Sequence, residues 1–170
     1  MDIYYLILVV PALLLSFIAQ GMVKSTFSKY SSVKIERNIT GAQAANYLLQ
    51  KNDVTGVTVK PISGSLTDNF NPTDMTLNLS EPVYNVSSIA AVGVAAHEAG
   101  HAVQYAVGYA PVRLRSAMVG VTQLGSKASM ILLLIGMLLY SQTLFLVGIL
   151  LFSLTTFFQL VTLPVEFNAG

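Results

Sequence analysis

The feature that most restricts this chain is a 36-residue run, Met130 to Val165, containing no Asp, Glu, Lys, Arg or His. As one helix it would measure about 54 Å at 1.5 Å per residue, well beyond the roughly 30 Å of hydrocarbon in a bilayer. Water is no better a solvent for it. The whole chain is 54% hydrophobic with a mean hydropathy of +0.64, and only 10% of it is charged, against roughly 25% in soluble domains. The polar group Tyr140-Ser141-Gln142-Thr143 divides the run. The expectation is a tight hairpin of two membrane helices, the first beginning upstream of Met130 and holding Lys127 near the interface, where its stem can snorkel.

A second apolar run, Ile3 to Val23, is long enough to span as a helix. It lacks the basic n-region of a secretory signal, so a retained anchor, bent at Pro11, is expected. The chain is therefore predicted to be a mainly α membrane protein with about three transmembrane helices. Its expected parts are an anchor over 1–23, a polar region over 24–115 and a helical hairpin over 116–170. All nine Lys and Arg fall between Lys24 and Lys127, while the amino-terminal flank carries only Asp2. By the positive-inside rule the polar region faces the cytoplasm of a cell whose plasma membrane holds the protein, with the amino terminus outside. A net charge of +1 offers no steering toward nucleic acid, so the partners are the lipid bilayer and whatever the polar region acts on. With no cysteine, thiolate metal sites and thiol nucleophiles are excluded, and any metal must be held by His, Asp or Glu.

Within the polar region, Thr40 is a candidate N-cap for a helix to Lys51, with Ala42, Ala45, Leu48 and Leu49 on its apolar face. Val57 to Ile62, with Pro61, reads as a strand at a sheet edge. Thr67 to Asp74 reads as turn and loop. Leu77 and Leu79 alternate with Thr76, Asn78 and Ser80, the pattern of a half-buried strand, which is expected to lie at an edge beside the next helix and to receive an extended peptide. Ser87 or Ser88 then caps a helix from about Ile89 to Val107, rich in Ala and Val.

That helix carries His97-Glu98-Ala99-Gly100-His101. Imidazoles four residues apart lie one turn above each other and can share one zinc ion. Glu98, on the adjoining ridge, reaches a water at the metal rather than the metal itself, the position of a general base. Gly100 leaves room for a substrate or another backbone to approach. The same spacing could arise from two packed core histidines, but the motif uses the only two histidines of the chain, and a buried Glu98 needs a compensating charge. Zinc and Glu98 together imply hydrolysis of peptide bonds by a zinc-activated water, with no covalent intermediate. Catalytic zinc sites usually take three protein ligands. Glu166 is the candidate for the third, being the only acidic residue after Glu98, and two membrane crossings after His101 return the chain to the same side. Asp68, Asp74 and Glu81 are rivals explained by turn chemistry. Thr155, Gln159, Thr162 and Glu166 recur at helical spacing, a polar stripe suited to hydrogen bonding between spans.

The anchor, Leu66-Thr67-Asp68 with the following strand, Val94 to Ala102 around HEAGH, and Leu163-Pro164-Val165-Glu166-Phe167-Asn168-Ala169 together resemble the YugP-type family of membrane zinc metallopeptidases, within the gluzincin group. The resemblance covers nearly the whole chain. It implies a bacterial integral-membrane enzyme with a zincin-like active-site helix and a short β edge, zinc ligands His97, His101 and Glu166, catalytic Glu98, and a peptide or membrane-protein substrate. Family members commonly continue past the Glu-containing segment, so a chain ending at Gly170 is expected to be a fragment or a truncated form. Where the family often has a His-Tyr-Asp-like stretch after the Asp, this chain has Asn69-Phe70-Asn71. The competing reading is a catalytically silent membrane scaffold or chaperone that keeps the metallopeptidase fold; a metal-ion transporter is disfavoured because few other ionisable side chains line the spans.

Overall fold

The computed structural model describes residues 3–170, with side-chain surroundings at Pro11 and from Leu14 onward. Helix α1 covers Ile3–Ser31, longer than the expected span. The side chains of the expected anchor's first half, and Asp2, lie outside the described residues. A bridge between Lys34 and Ser88, with the Ile89 N–H donating to the Val33 carbonyl at 3.0 Å, ties the end of α1 to the start of the HEAGH helix.

Helix α2, Gly41–Lys51, begins at Thr40, whose hydroxyl accepts from the Gln43 N–H while the Gln43 side chain accepts from the Thr40 N–H. This capping box satisfies two of the donors that a helix start leaves free. Strands β1 (Thr58–Ile62), β2 (Asn69–Asn71) and β3 (Thr76–Ser80) form one sheet in the order β1-β3-β2. Pro61 sits on an edge strand, as expected, since proline has no N–H to give to a ladder. The expectation for β3 is overturned. It is the central strand, parallel to β1 and antiparallel to β2, with Leu77 and Leu79 fully buried and its edges unavailable to a substrate. The reason is β2, read from sequence as loop: its two asparagines carry little strand propensity, yet Phe70 pairs with Leu77 and the Asn78 amide donates to the Asn69 side chain at 3.1 Å.

After a short turn of helix, α3 (Glu81–Tyr84), the HEAGH helix α4 runs over Ile89–Ala106, capped by the Ser88 hydroxyl accepting from the Ala91 N–H. Ala91, Ala95, Ala99 and Ala102 are fully buried against Ala42, Ala45, Leu49, Leu77, Leu79 and Val83. A stripe of methyl groups lets α2 and the sheet approach α4 closely, so one face of α4 makes the core, with Glu98 at the edge of that face and the two histidines further round the helix.

Helix α5 is continuous over Ala110–Leu138 and α6 over Gln142–Val161. They are joined where the sequence places the break. Tyr140 adopts a left-handed conformation (φ 51°) and the Ser141 N–H donates to the Gly136 carbonyl at 2.9 Å, a Schellman-type stop, before Ser141 caps α6. A Cβ on Gly136 would meet the Phe145 backbone at 2.7 Å and one on Gly148 the Leu133 side chain at 2.9 Å, so the hairpin packs through glycines. Both arms are long and apolar enough to cross a membrane, and only 6% and 11% of their most apolar stretches is covered by the rest of the protein. A core helix of a soluble domain would be mostly buried. The polar stripe does not bridge the spans: the Thr155 and Thr162 hydroxyls donate to their own helix, at the Phe152 and Gln159 carbonyls, each at 2.7 Å. Nor does the stripe run on to Glu166, because α6 ends at Thr162 and a separate helix, α7 (Leu163–Ala169), starts with Pro164 in its first turn.

The alanine stripe predicts its own sensitivity. Ala95→Leu should cost about 1–3 kcal/mol by overpacking, read as a lowered denaturation midpoint of the detergent-solubilised protein; unchanged stability would mean that α4 does not seat on α2 and the sheet as described.

Candidate metal centre

Helix α7 turns back from the hairpin and docks on α4. Val165 is fully buried, and Gly100 faces the end of α7 so closely that a Cβ there would lie 2.5 Å from the Ala169 carbonyl oxygen. The space that the sequence leaves at Gly100 is thus filled by another backbone. This docking carries Glu166 to the two histidines, 69 positions from His97 in sequence. Its Oε2 lies 3.2 Å from His97 Nε2 and 3.4 Å from His101 Nε2. Its other oxygen pairs with the Arg115 guanidinium from the first turns of α5. The two imidazoles meet edge to face, their centroids 4.7 Å apart.

These separations suit one small cation. Donor atoms bonded at 2.0–2.2 Å to a tetrahedral zinc stand about 3.3–3.6 Å apart along the edges of the tetrahedron. One donor atom from each of His97, His101 and Glu166 lies within 4.8 Å of the others. His97 and Glu166 are half-buried and His101 is buried, so the ion would be held at the floor of a cleft and stay open on one side. Two imidazoles and one carboxylate form a ligand set typical of catalytic zinc. Among the described residues no other such group of His, Asp and Glu occurs.

Glu98 is not a member of the ligand cluster. Its Oε2 accepts the Phe70 backbone N–H at 3.1 Å, from the side of β2 that faces away from β3. Burial pushes its carboxyl pKa above the ordinary carboxylate range; His101 and His97 oppose that rise, Asp68 adds to it, and the Phe70 N–H lowers it. A proton is therefore easier to place on Glu98 than on a solvated carboxylate. Of the rivals for the third ligand, Asp74 has the local turn role expected of it, whereas Asp68 reaches across to the end of β3. Asp68 accepts from the Ser80 N–H at 2.7 Å and from its hydroxyl, and Asp74 accepts from the Thr76 hydroxyl at 2.6 Å. Glu81 opens α3.

Three contributors are not legible as site residues in the sequence: Phe70 lies in a stretch that reads as loop, Arg115 is one of nine basic residues, and Gln104 belongs to no motif. Gln104 lies three residues beyond His101, on the neighbouring ridge of α4, which is the signal that could have found it. A cleft of about 460 Å³ opens over the cluster, lined by β2 and its flanks on one side and by Val112, Arg115 and Val119 of α5 on the other.

A helix bearing two histidines and a glutamate, with a second carboxylate brought back to it by a helical hairpin, forms a centre able to hold a metal ion through His97, His101 and Glu166. The chain belongs to the family described as "Putative neutral zinc metallopeptidase", which matches residues 5–170. It is similar to the "Putative membrane protease YugP" of Bacillus subtilis (strain 168), with 47% identity over 165 residues, covering 97% of this chain and 73% of that protein. No solved structure matches the chain. The cofactor is zinc, and the His97, His101 and Glu166 cluster fits it.

The docking of α7 makes a sharp comparison between two glycines of α4. Gly100→Ala should push Ala169 away, shift Glu166 and weaken zinc binding by about tenfold or more, as outer-shell disturbances do. Gly93→Ala, where a Cβ meets nothing within 4 Å, should leave zinc binding unchanged. Competition with a chromogenic chelator reads both; equal affinity in the two variants would place α7 elsewhere.

Proposed function

We propose that the chain is a membrane-embedded endopeptidase that hydrolyses peptide bonds with Glu98 as general base, on peptide or membrane-protein substrates. The observation that carries the reading is the convergence of His97 Nε2, His101 Nε2 and Glu166 Oε2 beside a Glu98 carboxylate that is not one of the three. His97, His101 and Glu166 would hold the metal. Zinc bound there supplies a Lewis acid that polarises the scissile carbonyl and makes water nucleophilic near neutral pH.

The protein's own groups do the rest. Glu98 accepts the proton of the attacking water and passes it to the leaving amine; the bond to the Phe70 N–H holds one carboxylate oxygen and leaves the other to work. Arg115 keeps Glu166 from swinging out of the cluster. A substrate is proposed to lie in the cleft between β2 and α5 that opens over the histidines. The relative's name as a membrane protease and the two exposed apolar helices support placement in the plasma membrane. The distribution of Lys and Arg supports a cytoplasmic site within the region 24–115 and spans that include the amino-terminal helix.

Two substitutions separate ligand from base. His97→Ala should release zinc, because two donors cannot complete the ligand set. Glu98→Gln should keep about one zinc per chain while cleavage of a peptide substrate falls roughly 10²–10⁴-fold, the usual contribution of a general base. Metal content and cleavage rate measured on the same preparations decide the matter: zinc lost from a folded Glu98→Gln would make Glu98 a ligand, and a folded wild type without zinc or cleavage would favour the scaffold reading.

A further inference from the structure

Gln104 is buried in α4, and the two ends of its amide face different partners. Its Nε2 donates to the Val165 backbone carbonyl at 3.0 Å and to the Asn168 side-chain oxygen at 2.8 Å, both on α7 and both flanking Glu166. Its Oε1 lies 3.1 Å from His101 Nδ1. The orientation of this amide follows from chemistry. A backbone carbonyl only accepts, so the amide atom facing Val165 must be the NH₂ group, and the atom facing His101 must be the oxygen. That oxygen also only accepts. His101 Nδ1 must then carry the proton, which leaves the lone pair on Nε2, the atom 3.4 Å from Glu166 Oε2.

We propose that Gln104 is the positioning residue of the metal centre: one amide selects the His101 tautomer that can bind zinc through Nε2 and ties α7, with Glu166, to the histidine helix. Without it, a neutral imidazole would be free to place its proton on Nε2 and offer the metal no lone pair there. The same loss would release the backbone on either side of Glu166. Two of the three ligands therefore depend on a side chain that touches neither the metal nor the substrate. The inference rests on the assignment of the zinc ligands above, and adds a residue to which no resemblance or relative assigns a role.

Two variants divide its functions. Gln104→Glu keeps an acceptor toward His101 and loses both donors to α7; Gln104→Met, of similar length, loses both. The full chain, zinc-loaded in detergent micelles and labelled with ¹⁵N-histidine, reports by NMR which imidazole nitrogen is protonated and which is bound to metal. Chelator competition gives the zinc affinity, and hydrogen exchange of residues 163–169 gives the docking of α7. In the wild type and in Gln104→Glu, His101 should show a protonated Nδ1 and a metal-bound Nε2. Gln104→Met should bind zinc about 10–100-fold more weakly, the usual cost of removing an outer partner of a ligating histidine. Both variants should exchange the α7 amides faster than the wild type.

Wild-type His101 bound through Nδ1 overturns the proposal without any variant having to fold. So does a Gln104→Met protein with wild-type zinc affinity, which would leave the ligand assignment standing. A wild type that binds no zinc at all overturns the ligand assignment and the proposal together.

Discussion

The docking of α7 onto α4 is the contact on which the site depends. The HEAGH helix presents two imidazoles and a carboxylate by its own periodicity, and a second carboxylate, the one in the cluster, comes from elsewhere in the chain. It belongs to a seven-residue helix with little surface of its own to bury. Its hold on α4 is correspondingly specific: a fully buried Val165, a backbone seated on Gly100, and two hydrogen bonds from Gln104. Each addresses a different degree of freedom. Burial gives attraction, the glycine sets the distance, and the amide sets the register that turns Glu166 toward the histidines.

The membrane hairpin is what makes this docking possible. Helices α5 and α6 carry the chain away and return it, and their close packing through Gly136 and Gly148 keeps the return path parallel to the outward one. The Schellman-type stop at Tyr140 sets the reversal, and Thr162 with Pro164 ends α6 where α7 must turn back. Arg115 gains a role from the same geometry. It belongs to the beginning of α5, and Glu166 follows the end of α6, so the ion pair joins the two feet of the hairpin beside the metal ligands. An apolar element that is unfavourable in water thus acts as the spacer that sets the position of one carboxylate beside the two histidines.

On the other side of the cleft the small sheet does comparable work. β3 is central and buried, serving the core, while β2 is three residues long and faces the site. Its Phe70 N–H, left free by antiparallel pairing with β3, is the donor that holds Glu98. This single edge N–H fixes one carboxylate oxygen of Glu98 and leaves the other without that bond. The alanine face of α4 is the counterpart: by burying only methyl groups it brings the sheet close enough for β2 to reach Glu98.

Much of this was legible in the sequence because it is local. The caps at Thr40 and Ser88, the break at Tyr140-Ser141, the edge position of Pro61 and the pairing of His97 with His101 follow from periodicity and backbone chemistry within a few residues. Glu166 was legible for a different reason: in a stretch without charge, a lone carboxylate after two crossings has few reasons to be there. What the sequence misjudged was all relational. β3 has the alternation of an edge strand, yet two neighbours enclose it, because strand order depends on partners and not on the strand's own pattern. Asn69-Phe70-Asn71 has the composition of a loop and is a strand only because β3 lies beside it. The stripe from Thr155 to Glu166 is helical in spacing, but Pro164 redirects its last member onto another helix. Gln104 is one more amide in a list of residues until α7 arrives to accept its hydrogen bonds. The sequence by itself determined which side chains could serve zinc chemistry and which segments would be long apolar helices, since those depend on residue type and period. Only the tertiary structure decided which nitrogen, which oxygen and which backbone N–H meet, since hydrogen bonds and coordination act over about 3 Å and depend on how distant elements pack.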